Sequence, residues 1–64
     1  MTIEILKIII SICTGGNVME ATPESITFDY SDTEKLQNER LALHKAGFNS
    51  LSHGRALTVM SPAN

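Results

Sequence analysis

One cysteine, no tryptophan, two prolines and only five basic residues occur among the 64 residues of this chain. Each scarcity excludes something. Cys13 alone cannot close an intrachain disulfide, and with two histidines it offers no spaced ligand set for structural zinc. A chain this short buries only about 60% of the surface its unfolded form exposes, so stability is marginal without a staple or a partner. Association with another chain is the remaining common support.

The bases are too few and too scattered for the dense positive stripe of a nucleic-acid binder, and the net charge is −2. Nucleic acid is therefore disfavoured as a partner. Charge is unevenly divided, however. Residues 1–34 hold one lysine against six acids, whereas residues 35–64 hold four bases against Glu39. Phe28, Tyr30 and Phe48, the whole aromatic complement, are core candidates rather than a base-stacking platform.

Long apolar runs are also missing. From Ile8 the uninterrupted run lasts three residues before Ser11, against the roughly 20 that a membrane helix requires. A secretory signal needs a basic start and a small-residue cleavage site, but here Glu4 precedes Lys7 and no such site follows. Ile12 before Cys13 argues against a lipoprotein signal. The expectation is a cytoplasmic protein without a membrane segment.

What the chain has in abundance is isoleucine at its beginning: Ile3, Ile5, Ile8, Ile9, Ile10 and Ile12. Read as a helix, Ile5, Ile8, Ile9, Ile12 and Cys13 fall at helical spacing, with Glu4, Lys7 and Ser11 opposite and Gly15 as a stop. Read as a strand, Leu6, Ile8, Ile10 and Ile12 make one wholly apolar face. Isoleucine loses rotamer freedom in a helix and packs well on a pleated surface, which favours the strand.

Thr14-Gly15-Gly16-Asn17 then reads as a hairpin turn, Val18–Ala21 as a return strand and Thr22-Pro23-Glu24-Ser25 as a connector. Ile26, Phe28 and Tyr30 alternate with Ser25, Thr27 and Asp29, as a strand with one buried face does. Ser31 and Glu34 form a capping-box pattern opening a helix from Asp32 to Ala46. Leu36, Ala42, Leu43 and Ala46 are expected against the sheet, Leu41 at its margin, and Lys35, Asn38, Glu39 and Lys45 in solvent. Gly47 suits a left-handed cap that folds Phe48 back on Leu43. Residues 49–54 read as a polar connector, and Arg55–Met60 as a closing strand with Leu57 and Val59 on one face.

These elements make an α+β domain over residues 1–60: a small antiparallel sheet of three to four strands in the order β-β-β-α-β, with one helix on one face. Residues 61–64 are expected to be a loose tail. A first strand apolar on both sides through Ile3, Ile5 and Ile9 needs a second cover, which a two-fold homodimer supplies; those three residues are the expected interface.

Ser52-His53-Gly54-Arg55 is the most reactive-looking cluster, and such a loop can hold an anion through Arg55, backbone N–H groups and His53. Gly47-Phe48 followed by Ser52-His53 resembles, over these few residues, small toxin ribonucleases of the HicA type; the order of helix and strand differs, so no catalytic role passes to His53. His44 suits the negative end of its helix. Glu20, Glu24, Asp29, Asp32 and Glu34 read as a solvated acidic rim. Cys13 reads as a small buried apolar residue, and Gly15-Gly16 lacks the lysine of a phosphate loop. No catalytic, cofactor or metal set emerges. The leading reading is a homodimeric, non-enzymatic protein-interaction module that takes a protein partner by strand addition or through its acidic rim. The alternative is a small nucleic-acid-directed regulator or nuclease using Arg40, His44, His53 and Arg55 as one face.

Overall fold

The alternation of Ile26, Phe28 and Tyr30 with Ser25, Thr27 and Asp29 produces a central strand in the computed structural model, which describes residues 2–61. Numbered in chain order, the elements are α1 (Ile3–Ile12), β1 (Gly16–Ala21), β2 (Ser25–Tyr30), α2 (Thr33–Lys45), β3 (Ser50–His53) and β4 (Ala56–Met60). The four strands form one antiparallel sheet in the spatial order β1-β2-β4-β3. Both helices lie on the same side of it. Ile26, Phe28 and Tyr30 of β2 and Leu57 and Val59 of β4 form a single buried cluster with Ile9 and Cys13 next to Leu36, Leu43 and Phe48. The α+β class is as expected, but the order is α-β-β-α-β-β and the cover is two helices rather than one.

The correction lies in the isoleucine segment, which is helical. Thr2 caps it, its side chain accepting a hydrogen bond from the Ile5 amide at 3.2 Å. Ile9 and Cys13 are buried, Ile5, Leu6 and Ile12 pack against the core, and Glu4, Lys7 and Ser11 face outward. Helical periodicity thus overrides residue preference. An isoleucine in a helix costs a few tenths of a kcal/mol, whereas burying one side chain fully contributes about 1.5–3 kcal/mol. With these residues in a helical layer, the sheet has no second apolar face needing a dimeric cover. Thr14 and Gly15 correspondingly join a helix to a strand and are not a hairpin turn.

Helix α2 closely follows its expected span. Asp32, rather than Ser31, is the cap, its carboxylate accepting from the amides of Glu34 and Lys35 at 2.9 and 3.4 Å. At the other end Gly47 has φ +90°, the Gly47 amide donates to the His44 carbonyl, and the Phe48 amide donates to that of Leu43. This is a Schellman cap, and it buries Phe48 in the same cluster as Leu43. Ala42 and Ala46 are exposed, contrary to expectation.

The connector expected over residues 49–54 contains strand β3. His53 and Ala56 pair across a two-residue turn in which Gly54 has φ +62° and Arg55 does not enter positive φ, the pattern of a hairpin with glycine first. Strand β1 carries a bulge between Val18 and Glu20. Ser61, expected in the tail, donates from its amide to the Glu24 carbonyl at 2.8 Å; the rest of that expected tail, residues 62–64, lies outside the described residues. Among the described residues, no helix is long and apolar enough to cross a membrane.

Candidate functional sites

The helical spacing of Leu36 and Leu43 places Glu39 between them, on the same inward side of α2. Glu39 was expected in solvent. Instead its carboxylate is half-buried and accepts from the Gly15 amide through both oxygens, at 3.0 and 3.1 Å, and from the Tyr30 hydroxyl at 2.7 Å. One side chain thereby ties the α1–β1 loop, the end of β2 and α2 together. The approach is close enough to require glycine: a Cβ on Gly16 would lie 2.7 Å from the Tyr30 ring and 3.0 Å from the Phe28 Cβ, and one on Gly15 would lie 2.8 Å from Glu39 Oε2. The glycine pair was visible in the sequence, and its partner Glu39 was not.

Cys13 borders the same node. Burial pushes its thiol up from the ordinary 9.0 to about 11, with the neighbouring Tyr30 hydroxyl opposing the shift and Glu39 adding to it. The Tyr30 phenol is also raised above its ordinary value, first by burial and then by donating to Glu39. Both groups hold their protons more tightly folded than unfolded, so the folded state binds more protons in alkali. Stability is full below the unfolded thiol value and falls as pH rises from 9 towards 11. In urea titrations the unfolding midpoint is expected to decline from about pH 9, and in Cys13→Ala only from about pH 10, where Tyr30 takes over. Coincident profiles for the two proteins would refute this assignment. Glu39 accepts through both oxygens, and no described buried polar side-chain atom lacks a partner.

The expected interface residues separate on α1. Ile3 is 71% exposed, Ile5 is half-buried, and Ile9 is fully enclosed by its own chain. Ser52, His53, Gly54 and Arg55 are all exposed at the β3–β4 tip. Adjacent strand residues project to opposite faces, so Ser52 shares the helix side with Leu57, while His53 shares the outer face with Ala56. Arg40 and His44, one turn apart on α2, lie on the helix side. There they line an open cavity of about 260 Å³ with Leu41, Phe48, Asn49 and Ser50. His53 and Arg55 are not part of that lining, so the four-residue positive face is divided.

The chain matches no protein-family model, no curated protein and no solved structure. Of the acidic residues, Asp32 is committed to capping α2, and Glu20 and Asp29 share the outer face of the sheet with Thr27 and Thr58. The two threonine hydroxyls hydrogen-bond to each other at 3.1 Å. Among the described residues, no group of three or more histidine, cysteine, aspartate or glutamate side chains could hold a metal ion.

Proposed function

We propose that this chain is a small, non-enzymatic protein-interaction module of the cytoplasm that pairs with a second copy of itself through α1. The observation behind this reading is the apolar surface that α1 leaves uncovered. Ile3, Ile8 and Ile10 are exposed by 71%, 47% and 46%. At 100° per residue, Ile3, Leu6 and Ile10 run along one flank of the buried face and Ile5, Ile8 and Ile12 along the other. Only Glu4, Lys7 and Ser11 form a polar strip. Scattered exposed apolar residues are ordinary, but Ile3 and Ile10, with half-buried Leu6 between them, make one apolar stripe along a flank of this ten-residue helix, and Ile8 lies on the other flank. An identical stripe on a second copy is its natural complement about a two-fold axis. The buried polar node supports the non-enzymatic part, because its carboxylate serves the fold.

Sedimentation equilibrium from micromolar to millimolar concentration tests this reading. The wild-type chain is expected as a dimer. Ile3→Gln combined with Ile10→Gln should give a monomer with an unchanged far-ultraviolet circular dichroism spectrum. A wild-type chain that stays monomeric throughout would sink the proposal.

A further inference from the structure

Strand β3 is an outer strand of the sheet, and its pairing with β4 determines which of its main-chain groups are free. Across a two-residue turn, His53 and Ala56 form a hydrogen-bonded pair, and such pairs alternate along an antiparallel ladder. Leu51 is therefore also bonded to β4, and the donation from the Met60 amide to the Asn49 carbonyl at 2.9 Å keeps the alternation. Ser50 and Ser52 consequently turn their amides and carbonyls outward. The side chains of both lie on the helix side. Ser50 also lines the cavity shared with Arg40 and His44. Edge groups and cavity thus border one groove.

Two features of the groove identify its occupant. Among the described residues, the side chains of Arg40 and His44 have no hydrogen-bond or ion-pair partner, and they belong to the basic half of the chain. Its cavity, about 260 Å³ and lined in part by Leu41 and Phe48, falls below the range of pockets that enclose a small-molecule ligand, and suits an anchoring side chain. We propose that this groove binds an extended segment of a partner protein, which adds as a strand to Ser50 and Ser52 and places an aspartate or glutamate side chain against Arg40 and His44. The inference deepens the interaction-module reading but uses a different surface from α1, so either can fail alone.

The test is selection from a phage-displayed library of random decapeptides. Recovered peptides are expected to carry an acidic residue among β-branched neighbours. Arg40→Gln with His44→Gln, both at exposed positions, should weaken binding roughly tenfold or more, but only about twofold or less when the peptide's acid is already an amide. Bound peptide should also slow hydrogen exchange at the Ser50 and Ser52 amides. Recovery of no peptide, of peptides without an acid, or of peptides indifferent to the double change would overturn the proposal. So would tighter binding of a mixed-sequence RNA oligonucleotide at Arg40, which would assign the groove to nucleic acid. Sedimentation of the double variant reports separately on α1.

Discussion

Ile9→Ala is expected to lose about 3–4 kcal/mol of stability in urea unfolding followed by circular dichroism, while Ile3→Ala changes it by less than about 0.5 kcal/mol. Ile9 is completely enclosed, and truncation removes its buried carbons and leaves a cavity, whereas Ile3 is mostly exposed. A chain of this length has a total stability on the order of 3–10 kcal/mol, so the first change alone brings it close to unfolding. The comparison also separates the two secondary structures open to residues 2–13. In a strand, Ile3, Ile5 and Ile9 share a face, and equal losses at Ile3 and Ile9 would contradict the helix. For the same reason Ile9→Lys is expected to unfold the protein. It is not a clean probe of an interface.

The second large effect is expected at Glu39. Glu39→Ala removes the acceptor from two donors at once, the Gly15 amide and the Tyr30 hydroxyl, and should destabilise by about 2–4 kcal/mol. Tyr30→Phe keeps the ring against Gly16 and removes only the hydroxyl, for about 1 kcal/mol. Because the two residues share one hydrogen bond, the double variant should cost less than the two separate losses combined, by about 1 kcal/mol. Strict additivity in such a cycle would mean that the Tyr30–Glu39 contact contributes nothing to stability.

Legibility in the sequence followed the strength of local signals. Alternation in β2, the pair Leu57 and Val59, and the Gly47 cap were all readable, because each encodes its geometry within a few residues. Strand β3 was not, since Ser50-Leu51-Ser52-His53 contains one apolar residue and owes its extended form to its pairing with β4. The isoleucine segment failed for another reason: it satisfied two periodicities, and the choice depended on Leu36, Phe28 and Tyr30, which complete the burial of Ile9. Glu39 looked like a solvent residue because a charged side chain between two inward leucines makes sense only once Gly15 and Tyr30 are beside it. Of the surfaces proposed to act, exposed Ile3 was singled out from sequence, and Arg40 and His44 were grouped with His53, which β3 turns to the other face, and with Arg55 in the turn that follows.

The bulge after Val18 has a consequence for how assemblies of this chain can grow. It distorts the β1 margin of the sheet and sets Glu20 beside it, while the β3 margin is regular and carries no acid or proline. The two margins are thus unequal, the β3 one offering the more regular edge. A segment added at β3 as proposed would therefore leave, among the described strands, only the bulged β1 margin open, which works against end-to-end growth of the sheet.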